Sequence, residues 1–179
     1  MLEINFDPFP VLETERLLLR KLSIEDIIAM FDLRTNDEVM RYIGRPRPKD
    51  EGDIKEMINK MNETSMRIQW GISLKEKDEI IGTLGYHRIE KEHYRAEVGY
   101  LLHPDHWKTG IMSEALNKII DYGFNKMNLH SIEAIINPEN MASRNLLLKT
   151  GFIKEGYFKE NFFFEGKFYD SEVYSLLKN

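Results

Sequence analysis

Ala96–Leu116 reads "AEVGYLLHPDHWKTGIMSEAL", and a strand, a loop and a helix meet in it. "AEVGYLLH" reads as a strand, and Pro104 ends it. From Ile111 onward, Ala115, Leu116, Ile119, Ile120, Phe124 and Met127 recur at three- and four-residue steps, the spacing of an amphipathic helix. Between strand and helix lies "PDHWKTG", with Gly110 directly before the helix and Lys108 close by. The start of a helix offers backbone N–H groups with no intrahelical acceptor and about half a positive charge, so it is a ready anion site. A glycine there lets the backbone approach a bulky anion, although a plain turn would also account for it. No G-K-[S/T] follows at Walker spacing, which excludes a nucleotide P-loop.

Outward from this stretch, the chain alternates between short strands and helices. "TERLLLRKL" (14–22) reads as a first strand. "SIEDIIAMFDL" follows as a helix, with Ser23 as N-cap and Asp26 three residues on in a capping-box arrangement. "DEVMRYI" is a short second helix ended by "GRPRPKD", and a third, polar helix runs from Asp50 to Glu63. "RIQWGISL" and "IIGTLGYHRI" form a hairpin across the charged turn "KEKDE". After the Ile111 helix come the strand "HSIEAIIN", the helix "NMASRNLLLKT" stopped at Gly151, and a hairpin turning near Glu165–Gly166. This order implies an α+β fold with a mixed sheet and at least one parallel pair, in one domain spanning 1–179.

Composition narrows the function classes. A chain of 179 residues buries about 70% of its unfolded surface and is stable without metal or disulfide. It contains no cysteine, which removes disulfides, thiolate metal sites and any cysteinyl acyl-enzyme, and suits a reducing compartment. The start "MLEINFDPFP" lacks the basic flank and apolar run of a signal peptide, and no apolar run approaches membrane-spanning length. A cytoplasmic protein with no membrane contact is expected. A net charge of -5 argues against nucleic acid as the main partner. His103 and His106 form a loop HxxH without a third ligand, so no metal is expected and both read as solvent-facing.

The order of "ETERLLLR", "EVGYLLHPDHWKTGIMSEAL", "NPENMASRNLLLKTGFIKEG" and "GKFYDSEVYSLL" resembles the GNAT superfamily of acetyl-CoA-dependent N-acetyltransferases, and within it the Rim-type branch that acetylates ribosomal-protein N-termini. The resemblance covers nearly the whole chain and is specific for fold and cofactor, though poor for substrate. It implies a mostly antiparallel central sheet with a V-shaped gap between "AEVGYLLH" and "HSIEAIIN" that takes acetyl-CoA. The pyrophosphate would lie on the backbone of Lys108, Thr109, Gly110, Ile111, Met112 and Ser113, with Leu101, Leu102, His103 and Asn140 also on the cofactor. Trp107 stands where the wider superfamily has Gln or Arg, as is usual in the Rim-type branch. Met112 stands where a small residue is expected, so its side chain must turn away from the pyrophosphate.

The same resemblance implies the chemistry. Acyl transfer to an amine needs a neutral amine, an oxyanion donor and a proton for the departing thiolate. The donor would be the backbone N–H of Leu101 or Leu102, worth about 3–4 kcal/mol in comparable sites. Glu97, on the same strand face as Leu101, would be the base through water, with Glu155 second; the plain alternative makes Glu97 a surface carboxylate balanced by Arg95. Leu147 replaces the tyrosine that many GNAT enzymes use as thiolate acid, which leaves Ser143 for that role, or Asn140 and Ser143 as a simple helix cap. Trp70 and Tyr100 read as core or cleft wall, and Arg45 and Arg47 as a solvated loop that could lie over the acceptor. The aromatics from Tyr157 to Tyr169 read mostly as hairpin packing, some lining an acceptor pocket or a dimer contact.

At pH 7 roughly one α-amine in seven is neutral, against about one lysine in 2,500. The residues show no further carboxylate–histidine pair that would serve as a strong base, which fits the α-amine slightly better. The expected reaction is direct attack by an amine on acetyl-CoA in a ternary complex. A ribosomal-protein N-terminus is the first candidate acceptor, and a polyamine, aminoglycoside or amino acid the alternative. A catalytically silent acetyl-CoA-binding module is the reading from another class. The chain is expected to be a monomer or homodimer.

Overall fold

The computed structural model describes residues 2–62 and 66–178. An eight-stranded sheet runs in the order β1-β2-β3-β4-β5-β6-β8-β7. Its strands are β1 (Leu12–Glu13), β2 (Leu17–Lys21), β3 (Ile68–Leu74), β4 (Ile80–Glu90), β5 (Arg95–Leu102), β6 (Ser131–Ile136), β7 (Ile153–Phe164) and β8 (Lys167–Leu177). Every neighbouring pair is antiparallel except β5 and β6. The helices are α1 (Ile27–Thr35), α2 (Asp37–Met40), α3 (Glu51–Asn62), α4 (Ile111–Asn125) and α5 (Met141–Lys149). The α+β expectation holds, with the parallel pair where the β-α-β order placed it.

Most differences from the sequence reading lie at element ends. The first strand begins at Leu17 because Thr14 caps a tight turn: its N–H donates to the Leu17 carbonyl and its Oγ1 accepts from the Leu17 N–H. That turn folds back β1, which at two residues is too short to show a period. Both capping-box bonds of Ser23 and Asp26 form, but the first turn is a 3-10 helix at Ile24–Asp26 that leads into α1. The end expected for the third helix, Glu63, lies outside the described residues. The last hairpin turns at Glu165 and Gly166, where both φ angles are positive (46° and 80°) as a two-residue hairpin turn requires.

Alternation along β5 sends its side chains into two different cores. Ala96, Val98 and Leu102 face α4, where they meet Ile111, Met112, Ala115, Leu116 and Ile119. Leu101 faces the other way, into the cluster of Met30, Leu33, Ile54 and Ile58 from α1 and α3. β5 is thus gripped by helices on both faces while its β6 edge is left to open. Trp70 belongs to the α4-side core, with its indole N–H donating to the Pro10 carbonyl at 2.7 Å.

α4 seats closely on the sheet through Tyr86, whose hydroxyl donates to the Ile119 carbonyl at 2.6 Å. A Cβ at Gly123 would stand 2.4 Å from that hydroxyl. Alanine is normally favoured over glycine inside a helix by about 1 kcal/mol. Here Gly123→Ala is expected to lower stability by about 1–3 kcal/mol through overpacking, and adding Tyr86→Phe should return part of the loss. Denaturant midpoints check both; a higher midpoint for Gly123→Ala alone would contradict the packing.

Candidate active site

β5 and β6 are in register at only three positions, Arg95–Ser131, Ala96–Ile132 and Glu97–Glu133. Beyond Glu97 the two strands part. The strand pairing on the other side of β5 is unbroken from Glu97 to Leu102, and the His103 N–H donates to the Ile81 carbonyl. Antiparallel alternation therefore turns the Leu101 N–H toward β4 and the Tyr100 and Leu102 N–H groups into the gap. Of the two amides expected as oxyanion donor, that of Leu102 faces the gap and that of Leu101 faces β4. The amide of His103 is likewise engaged with β4, so it is not a free cofactor contact.

The loop after β5 is built to expose amides. The Trp107 indole donates to the Leu102 carbonyl at 2.8 Å and pins the loop to the strand end. Lys108 and Gly110 take left-handed conformations, with φ 61° and 82°. Among the described residues, no backbone N–H from Lys108 to Ser113 has a protein acceptor; the first α4 bond is Glu114 N–H to the Gly110 carbonyl at 3.0 Å. Gly110 caps α4 without a side chain, and a Cβ there would touch only Arg16 Nη2, at 3.5 Å. Met112 points into the core, so the bulky residue in this loop leaves the amides open. These features fit a diphosphate. Arg16 was missed by the sequence reading: its Nη1 donates to the Thr109 carbonyl and its Nε pairs with Glu114 at 2.7 Å, bringing a second cation to the site. Thr14 and Arg16 are both bonded to Glu114, and both lie in the "ETERLLLR" stretch that the resemblance includes.

On the opposite face a cavity of about 630 Å³ opens at the base of the gap. Its floor is β3–β5, its wall the end of α1 and α2, and its roof the Tyr42–Arg47 loop and the β7–β8 hairpin. Roof and hairpin touch tightly: a Cβ at Gly44 would fall 2.1 Å from the Phe162 ring. Phe162, Phe164 and Tyr169 line the cavity, whereas Tyr157, Phe158, Phe163 and Phe168 are exposed and lie outside its lining. Arg45 and Arg47 are exposed and also line it.

Glu97 stands at the rim, where β5 and β6 separate. Burial raises its pKa above the ordinary value, and Glu133 adds to this against the opposing pull of Arg88. Its partner is Arg88, at 2.7 Å, which also holds Glu133 at 3.0 Å; Arg95 instead pairs with Glu90 at 2.7 Å. Across the strands His87 lies in register with Glu97 and lines the same cavity, a neighbour that strand folding hid from the sequence. Burial, with Arg45, Arg34 and Arg67 adding repulsion, draws the His87 imidazole down to about 4. Glu155 is exposed on β7 and outside the cavity lining, which removes it as a base.

Asn140 caps α5, accepting from the Ser143 N–H at 3.0 Å. The Ser143 hydroxyl lies 2.6 Å from that of Tyr100 and so bridges α5 to β5. Burial pushes the Tyr100 phenol up to about 12, offset in part by the Ser143 bond, so it keeps its proton. Leu147 is fully buried in the core. Tyr100, read from sequence as core or cleft wall, brings a phenol to the gap from the strand. His103 is half-buried, with Nε2 3.2 Å from Asp32. No group of three or more His, Cys, Asp or Glu that could hold a metal occurs among the described residues, and none of their helices is long and apolar enough to cross a membrane.

Residues 16–153 match the acetyltransferase (GNAT) domain family. The chain belongs to the GNAT family. It is 40% identical over 95% of its length to the Bacillus subtilis uncharacterized N-acetyltransferase YoaA, covering 98% of that protein. Among solved structures it resembles a Vibrio cholerae spermidine N-acetyltransferase in complex with CoA and spermine, at 26% identity and TM-score 0.82 over 92% of this chain and 96% of that one. A ribosomal-protein-S5-alanine acetyltransferase from Vibrio fischeri matches at TM-score 0.81 and 24% identity, over 95% and 97%, a likeness of fold. This GNAT protein is an acetyl-CoA-dependent N-acetyltransferase.

Two measurements check the site. Ser113→Glu places a carboxylate among the free amides, which the α4 dipole tolerates and a diphosphate does not. CoA affinity should fall at least about 10-fold with little change in melting temperature; equal affinity would contradict the amide site. The His87 imidazole should titrate by NMR near pH 4 rather than 6.5. Its folded value lies below its unfolded one, so the unfolded chain takes up the proton first. This contribution to stability is intact above about pH 6.5 and declines as pH falls toward 4.

Proposed function

We propose that this N-acetyltransferase transfers acetyl from acetyl-CoA to an α-amine by direct attack in a ternary complex, a protein N-terminus of the ribosomal type being the first acceptor to try. The observation that carries the proposal is the gap beyond Glu97, which separates the free amides at α4 on one face from the cavity on the other. Thioester and amine can approach from opposite sides and meet without a covalent enzyme intermediate, for which the chain has no cysteine.

Each requirement of the reaction has a group at the gap. The Leu102 N–H faces the position where the oxyanion develops. Glu97, with its pKa raised by burial, is a better base near neutral pH than an ordinary glutamate. Tyr100, kept protonated and bonded to Ser143, can give a proton to the leaving thiolate. An α-amine needs less help from the base than a lysine, which suits a carboxylate already bound by Arg88. Asn140 acts by capping α5 and so holding Ser143. The close approach of Gly44 to the Phe162 ring across the roof of the cavity favours a second reading, a small amine such as an amino acid.

Glu97→Gln should lower kcat by about 100-fold or more and remove the acid limb of the pH–rate profile, which lies above the ordinary glutamate value. Tyr100→Phe should lower kcat about 10-fold or more, and Ser143→Ala less. Initial rates against both substrates should give intersecting lines. Thiol release with a panel of N-terminal peptides and free amines checks the acceptor; parallel lines, or no amine-dependent release, would defeat the proposal.

A further inference from the structure

Three buried polar atoms have no hydrogen-bond partner among the described residues: Arg34 Nε, Gln69 Oε1 and Thr83 Oγ1. They come from α1, β3 and β4, and all three side chains line the acceptor cavity. Native proteins leave few such atoms unpaired, and three converging on one cavity mark a surface shaped for a polar ligand. Arg34 is the most telling, because it is a cation with only 7% of its surface exposed and with no ion pair among the described residues. It sits in the last turn of α1, where the helix dipole favours a positive charge but supplies no acceptor for Nε. Burial, and repulsion from Arg45, draw its pKa down to about 10, so it remains charged at neutral pH.

The other cations around the cavity are already engaged, and the two further carboxylates of its lining lie on the hairpin, where Asp170 accepts from the Tyr157 hydroxyl and the Glu160 N–H and Glu165 is exposed at the turn. Arg47 pairs with Asp37 at 2.6 Å, Arg88 holds Glu97 and Glu133, and Arg41 lies over the Tyr42 ring. Arg34 and the exposed Arg45 are left, close enough that the charge of Arg45 acts on Arg34 and that both act on His87. A polyamine would bring further ammonium groups to two unmatched cations. A carboxylate matches them, as guanidinium groups favour planar oxyanions.

We propose that Arg34 and Arg45 form an anion-binding subsite in the acceptor cavity, and that the acceptor is a primary amine carrying a carboxylate. That carboxylate is the α-carboxylate of a free amino acid or the side-chain carboxylate of an acidic residue at a peptide N-terminus. The Thr83 hydroxyl can donate to the same carboxylate, and the Gln69 amide supplies an acceptor. The inference rests on the α-amine reading above and narrows it to anionic acceptors.

The test compares acetyl transfer to matched acceptors: glutamate, aspartate and leucine against their α-amides, peptides beginning Asp or Glu against those beginning Asn or Gln, and spermidine. A carboxylate-bearing acceptor should exceed its amide at least 10-fold in kcat/KM, and the arm that responds identifies the source of the carboxylate. Arg34→Gln should raise KM for that acceptor 10-fold or more with kcat within about 3-fold, Arg34→Lys should recover part, and Arg45→Gln on the exposed loop gives the same readout if Arg34 variants fold poorly. Without ligand, Arg34→Met should melt no lower than the parent, since an unmatched buried charge is removed. Equal rates for acids and amides, preference for spermidine, or a loss in kcat alone would overturn the subsite. Should no amine of any kind release thiol, the α-amine reading fails by itself. Calorimetry of N-acetylglutamate with CoA-saturated protein then decides the subsite: binding lost in Arg34→Gln upholds it, and binding unchanged in that variant, or absent from the parent protein, overturns it.

Discussion

The structure turns on a place where a sheet stops pairing. β5 and β6 share three register positions and then separate, although both strands continue. Unpaired strand backbone inside a sheet is unfavourable unless something else takes up its hydrogen bonds. Here the β5 side of the gap is stiffened by an unbroken β4 ladder and by cores on both faces, so the strand cannot relax toward β6. At the point of separation Arg88 holds Glu97 and Glu133, one carboxylate from each strand. That contact puts one positive charge between two negative ones brought side by side, which eases their repulsion, and it places Glu97 at the opening.

A gap of this kind has two entrances, and alternation along β5 gives them different chemistry. The α4 face presents a row of free amides, helped by the left-handed Lys108 and Gly110 and by an inward-turned Met112. The α1–α3 face presents a roofed cavity lined with arginines, a low-pKa histidine and the carboxylates of Glu97, Glu165 and Asp170. One strand thus divides the free amides from the cavity, with its own backbone and Tyr100 between them. The buried cluster of Glu172 with Arg144, Lys154 and Tyr174 ties α5 to β7 and β8, which keeps Ser143 within reach of Tyr100.

Members of one family can share the first face and differ at the second. The family match runs from residue 16 to 153, yet the cavity roof also draws on Phe162, Phe164 and Tyr169 in the closing hairpin. The fold sets how the thioester is presented; the walls decide which amine comes to it.

Local signals in the sequence determined most of the fold and half of the site. The 3.6-residue period of α4, the capping box at Ser23, the Glu165–Gly166 turn and the exposed amides at Gly110 are each encoded within a few residues, so they could be read without the partner segments. The resemblance to the GNAT superfamily singled out Glu97, Ser143 and Asn140 as candidates, and the structure sets Glu97 where β5 and β6 part and Ser143, capped by Asn140, against Tyr100. What tertiary structure alone decided were pairings across strands and helices distant in the chain. These are Arg88 rather than Arg95 on Glu97, His87 beside it, Tyr100 against Ser143, and Arg16 at the amide loop. The choice of Leu102 over Leu101 depends on which edge of β5 faces β4, a matter of register that sequence does not carry. The unmatched Arg34 emerges only from knowing every neighbour of a buried side chain, because the absence of a partner is a property of the packed molecule and has no sequence signature.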